Sequence, residues 1–120
     1  MTENVAAATA FLNAMKTKDL SQAPLSDNVS YQSPLSGEPI EGRDHVCRFL
    51  EVYLPVIHDV QIERQIADGD HVALVWEADT SFGPLSIVYV VRVERGKIVK
   101  INAFYDPRGF LERMGGWTGA

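Results

Sequence analysis

Two acids on one extended segment offer the first chemistry in this sequence. Residues His71 to Thr80 read His-Val-Ala-Leu-Val-Trp-Glu-Ala-Asp-Thr. In a strand, Ala73, Val75, Glu77 and Asp79 share one face, while Val72, Leu74, Trp76 and Ala78 share the other. Glu77 and Asp79 are then same-face neighbours with Cβ atoms about 7 Å apart by strand rise. In a dry pocket two such carboxylates repel each other and lose hydration, so that one is held protonated as an acid while the other serves as a base. Alternation alone also allows the opposite phase, with Leu74 and Trp76 turned to the core and both acids standing in water.

Few other side chains invite chemistry. The chain lacks a phosphate-cradling Gly-x-x-x-x-Gly-Lys, a dinucleotide Gly-x-Gly-x-x-Gly, a His-Glu-x-x-His pair and a Gly-x-Ser-x-Gly elbow, which removes most support for nucleotide chemistry and serine hydrolysis. His45, His58 and His71 are scattered. His45 and Cys47 stand two apart on a helical segment, where side chains diverge, so no metal site is expected. Cys47, beside an apolar helical stripe, reads as a small buried hydrophobe, and as the single cysteine it excludes an internal disulfide. Eleven Lys and Arg against sixteen Asp and Glu give a net charge of −5. That balance is a poor match for a polyanion, so neither nucleic acid nor an acidic membrane is an expected partner. No apolar run approaches the roughly 20 residues of a spanning helix, and without a leader-like start the expected location is the cytoplasm.

The elements that position these residues follow from hydrophobic period. Val5, Ala8, Leu12 and Met15, widened by Phe11, predict a helix over Thr2 to Lys18. Asp19 caps a short helix to Ala23, and Val29 to Ser33 is a brief strand. Two Pro and two Gly make Ser33 to Gly42 a loop. Val46, Phe49, Leu50, Tyr53 and Leu54 lie on one helical face that Pro55 limits. The period then alternates, predicting strands at His58 to Ala67, His71 to Thr80, Leu85 to Glu94 and Lys97 to Tyr105. Their Gly-containing connections predict an antiparallel meander. Arg108 to Met114 is expected as a last helical turn before a tail at 115–120. The 120 residues make a single α+β domain in which a curved, mostly antiparallel sheet wraps around N-terminal helices as a cone. Its hollow suits a small apolar ligand.

This element order resembles the nuclear transport factor 2-like superfamily, which includes ketosteroid isomerase, SnoaL-like polyketide cyclases and limonene epoxide hydrolase. The nearest local resemblance is to the epoxide hydrolase, through Tyr31-Gln32-Ser33-Pro34-Leu35, Gly42-Arg43-Asp44-His45-Val46, Gly96-Lys97-Ile98 and Phe104-Tyr105-Asp106. The resemblance implies a cone fold and places Asp79 on a catalytic aspartate and Tyr31 on a water-holding tyrosine. Glu77 stands where that enzyme has an arginine, Ala103 where it has a second aspartate and Ser33 where it has an asparagine. Against ketosteroid isomerase, Phe11, Ser33 and Tyr89 replace its oxyanion tyrosine, base and protonated aspartate, so that activity is not expected.

The resemblance further implies that the face bearing Val75, Glu77 and Asp79 looks into the hollow. Leu74, Trp76, Val88 and Val90 would then form an outer face covered in a homodimer. The implied pocket wall is Ile87, Tyr89 and Val91, then Ile101, Ala103 and Tyr105, with Tyr31 and Ser33 on the first strand and Phe11, Phe49 and Tyr53 from the helices. The resulting expectation is a cofactor-independent isomerase, cyclase or hydratase/epoxide hydrolase-like enzyme acting on a small apolar, polyketide- or terpenoid-like molecule. In it Asp79 is the base, Glu77 its proton partner, and Tyr89 and Tyr31 are donors to developing oxygen charge. The competing expectation is a non-catalytic small-molecule-binding or dimerising domain of the same fold.

Overall fold

The computed structural model describes residues 2–113; the expected tail at 115–120 lies outside them. Helix α1 (Thr2–Thr17) turns Ala8, Phe11, Leu12 and Met15 inward, the stripe its helical spacing requires. Asp19 accepts from the Ser21 N–H and caps the 3₁₀ turn Leu20–Gln22. Strand β1 (Leu25–Gln32) follows, then a two-residue β2 (Ile40–Glu41), α2 (Arg43–Tyr53) and a 3₁₀ turn at Leu54–Val56. Strands β3 (Ile57–Asp68), β4 (His71–Thr80), β5 (Gly83–Glu94) and β6 (Lys97–Phe104) come next, and α3 (Arg108–Arg113) closes the order.

The sheet order is β2-β1-β6-β5-β4-β3. The expected meander is present from β3 to β6, and β1 joins it by running parallel to β6. Strand β1 begins four residues before the expected Val29, and β2 occupies part of the expected loop by pairing Ile40 with Tyr31. Arg95 and Gly96, both at positive φ (54° and 77°), make the tight β5–β6 reversal whose twist suits adjoining strands. Irregular register between Ile62 and Arg64 and between Arg92 and Val93 bends the strands. The sheet curls but does not close, since β2 and β3 remain as edges. Helix α1 packs across β3 to β6, and α2 packs on β1. Arg43 donates to the carbonyls of Leu25 and Ala23, fixing the start of α2 to the start of β1.

The phase of β4 is opposite to the one the resemblance implied. Val72, Leu74, Trp76, Ala78 and Thr80 are buried on the concave side; Ala73, Val75 and Glu77 are half-buried and Asp79 exposed on the outer side. Energetics decide this. Burying an indole of roughly 150–250 Å² contributes on the order of 4–6 kcal/mol at about 25 cal/mol/Å², whereas bringing even one carboxylate out of water costs several kcal/mol. Leu74 and Trp76 therefore belong to the core, while Val88 and Val90 do lie outside, opposite Val75 and Ala73.

Candidate ligand pocket

A cavity of about 40 Å³ lies between the concave sheet and the two long helices, room for on the order of a few water molecules. From the sheet, β1 supplies Tyr31, β4 supplies Trp76, Ala78 and Thr80, and β5 supplies Leu85, Ile87 and Tyr89. Helix α1 contributes Met15, α2 contributes Phe49, Leu50 and Tyr53, and Leu35, Ile57 and Tyr105 complete the wall. All four tyrosines of the chain thus meet at one site.

Strand alternation brings the aromatic rings together. Tyr89 stacks on Phe11 with centroids 5.7 Å apart and meets Trp76 edge-on at 5.2 Å. Tyr31 crosses Tyr89 nearly perpendicularly at 6.3 Å and leans on Phe49, which continues to Tyr53. These contacts hold the rings in tilted and edge-on arrangements that aromatic quadrupoles favour.

The buried hydroxyls of Tyr31 and Tyr89 are loosely engaged. The hydroxyls of Tyr31 and Tyr89 are 3.5 Å apart, and Tyr89 also donates to the Met15 sulfur at 3.7 Å. Tyr105 donates to Ser33 Oγ at 3.5 Å, and Ser33 Oγ in turn accepts from the Leu35 N–H. The Tyr31–Tyr89 oxygen–oxygen distance is long for a hydroxyl hydrogen bond, so these two groups keep capacity for another partner. Thr80 differs: its hydroxyl donates to the Gly83 carbonyl at 2.7 Å and accepts from the Phe82 N–H. Burial pushes Tyr31 and Tyr89 well above the ordinary phenol range, and it raises Tyr53 and Tyr105 as well. Trp76 Nε1 is buried with no hydrogen-bond partner, a condition that costs roughly 1–3 kcal/mol. Among the described residues, no cluster of His, Cys, Asp and Glu is arranged to hold a metal ion, and no helix is long and apolar enough to cross a membrane.

The sequence profile described as Domain of unknown function (DUF4904) matches residues 2–116. The chain belongs to the DUF4904 family. No curated protein gives a significant match. Among solved structures, a protein from Kribbella flavida superposes with a TM-score of 0.88 over 100% of both chains at 16% identity. An NTF2-like protein of unknown function from Cytophaga hutchinsonii gives 0.74 at 18% identity, covering 88% of this chain and 91% of that one. An LEH-like epoxide hydrolase from M. tuberculosis gives 0.73 at 24% identity, covering 94% and 92%. This DUF4904 domain therefore has the nuclear transport factor 2-like α+β fold, and at these identities the likeness is one of fold.

The DUF4904 pocket gathers Tyr31, Phe49, Tyr53, Ile87, Tyr89 and Tyr105 of the residues expected in it. Phe11, Val91 and Ile101 are fully buried behind it as core, and Ala103 and Ser33 are buried on the side where β1 meets β6. Val75 is on the outer face. Glu77 and Asp79 are not in the pocket: they line an open outer groove with Asp59, Gln61 and Pro84. The expected catalytic pair is corrected on this geometry, because Asp79 sits opposite Asp59, and Glu77 opposite Gln61, on the convex surface. Asp59 pairs with Lys16 at 3.3 Å, and the Val60 N–H, followed by Lys16, holds its carboxyl below the usual range.

Sequence reasoning missed Trp76, Ala78 and Thr80 as pocket wall. The signal was available: the strand's own alternation, taken with the large apolar indole on the core side, selects them together. Met15 was recognised as a buried helix position, although its place against the Tyr89 hydroxyl depends on how α1 crosses β5.

Proposed function

We propose that this domain holds a small, largely apolar molecule in the tyrosine pocket and releases it chemically unchanged. The observation carrying this reading is the composition of the wall. Among the described residues it offers phenol, threonine and indole groups, and it includes no carboxylate, imidazole, thiol or amine. General acid–base catalysis needs a group that titrates near working pH, and burial moves the tyrosines further from neutrality. The wall can thus grip and orient a ligand, but it has no group suited to taking a proton from one. The outer acids have the charge for such a role and lack the enclosure.

Cavity size limits what is held. With about 40 Å³ enclosed, the inner space takes only a few water-sized groups, and a ring-sized molecule extends past half-buried Leu35, Tyr53 and Leu85. That a solved structure of this fold is named an LEH-like epoxide hydrolase supports a small molecule as the ligand.

The outer face favours a second copy of the chain as partner. Ala73, Val75, Val88 and Val90 form an apolar band across β4 and β5, extended by Ile66 and Phe104, each 56% exposed. A band of this kind is usually covered in solution.

The ligand reading is tested by equilibrating the purified protein with small cyclic ketones, lactones and epoxides, then recovering the bound fraction for mass spectrometry. A saturably bound compound returned intact supports it. Conversion to product by wild type contradicts it.

A further inference from the structure

We infer that the pocket selects an uncharged carbonyl compound and that the indole N–H of Trp76 is the group that holds the carbonyl oxygen. This rests on the pocket being the ligand site. Trp76 is 1% exposed, and its Nε1 is the buried side-chain nitrogen or oxygen found without a hydrogen-bond partner among the described residues. An indole N–H can only donate, so the missing partner must be an acceptor. Buried indoles ordinarily find one. Packing prevents Trp76 from turning away to seek it: the ring lies edge-on to Tyr89 at 5.2 Å, in the centre of the concave face between Leu74 and Ala78.

The neighbouring chemistry narrows the acceptor. No lining side chain carries a formal charge, so an ionised ligand would enter a poorly solvating site without a counter-ion, at a desolvation cost. The loosely engaged Tyr31 and Tyr89 hydroxyls, 3.5 Å apart, add polar hydrogens around the same space. A carbonyl oxygen accepts and does not donate, which matches a donor-rich wall. A hydrocarbon of the same shape would fill the apolar space and leave the indole unsatisfied.

The test uses the full chain labelled with ¹⁵N, and compares cyclopentanone with methylenecyclopentane, its near-isosteric hydrocarbon. The indole resonance of Trp76 is separated from that of Trp117 by the spectrum of Trp76→Phe. In wild type, cyclopentanone shifts the Trp76 indole proton downfield saturably and binds on the order of five- to tenfold more tightly than the hydrocarbon. In Trp76→Phe the preference for the ketone is abolished or reversed, because its carbonyl is then buried without that donor, while the hydrocarbon binds within about twofold of its wild-type affinity. Equal affinity of both probes for wild type overturns the carbonyl assignment and leaves the pocket as a ligand site. So does an indole proton that cross-relaxes with water and stays unmoved while the ketone binds, because buried water is then the acceptor. Failure of both probes to bind contradicts the pocket reading itself, and the inference with it. Should Trp76→Phe not fold, the wild-type comparison of the two probes decides alone.

Discussion

The hydroxyl oxygens of Tyr31 on β1 and Tyr89 on β5 face each other at 3.5 Å across strand β6, with their rings nearly perpendicular. Neither strand is the sequence neighbour of the other, so this contact forms only when the parallel β1–β6 pairing is in place. Removing one hydroxyl in Tyr89→Phe or Tyr31→Phe deletes a long, weak hydrogen bond and leaves the ring packing intact. Each change should lower unfolding free energy by about 1 kcal/mol or less. In urea denaturation the double variant should lose less than the sum of the single losses, since both remove the same contact.

The tyrosines also set the alkaline limit of stability. Burial raises Tyr31 and Tyr89 in the folded state above their unfolded value near 10. A phenol with a raised folded pKa contributes stability that is complete below the unfolded pKa and is lost as pH rises beyond it. Unfolding free energy should therefore fall with pH above about 10. Tyrosinate absorbance at high pH should show these two phenols ionising together with loss of near-ultraviolet circular dichroism, and not before it.

The outer acids should be dispensable for the pocket. Asp79 lies opposite Asp59, and like charges across a strand pair are mildly repulsive. Asp79→Asn should be neutral or stabilising within roughly 0.5 kcal/mol, and Glu77→Gln similarly small. Isothermal titration should return the wild-type ligand affinity for both variants. A tenfold loss in either would restore these acids to the site.

Association through the outer face is checked at Val88, which sits between Val75 and Phe104 on neighbouring strands. Wild type should sediment at twice 13.3 kDa, and Val88→Asp should sediment as a monomer with unchanged secondary structure, because a carboxylate there meets apolar surface on the second copy. A monomeric wild type would remove the partner.

Much of the architecture is readable from local pattern. The α1 stripe at Ala8, Phe11, Leu12 and Met15 and the α2 stripe at Val46 and Leu50 repeat at helical spacing, and Gly69 and Gly96 mark reversals where positive φ is needed. The parallel pairing of β1 with β6 is less legible, because nothing near Leu25 states that its partner is Ile98. The phase of β4 is hard to read for a different reason. Its outer face carries Ala73 and Val75 and its inner face Leu74 and Trp76, so both sides are partly apolar and the amphipathic contrast is weak. Strand period places residues on a common face, and burial energy then chooses the face. Here the indole outweighs the carboxylates.

The central claim is that ligand enters the space between Tyr31, Trp76 and Tyr89 rather than the acidic outer groove. It is tested most directly by titrating isotope-labelled protein with cyclopentanone and following side-chain resonances by NMR. Saturable shifts at the Met15 methyl, the Ile87 methyls and the tyrosine rings, with Ala73 and Val75 methyls unmoved, are predicted. Shifts confined to Ala73, Val75 and the neighbours of Asp79, with a silent Met15, would contradict the account.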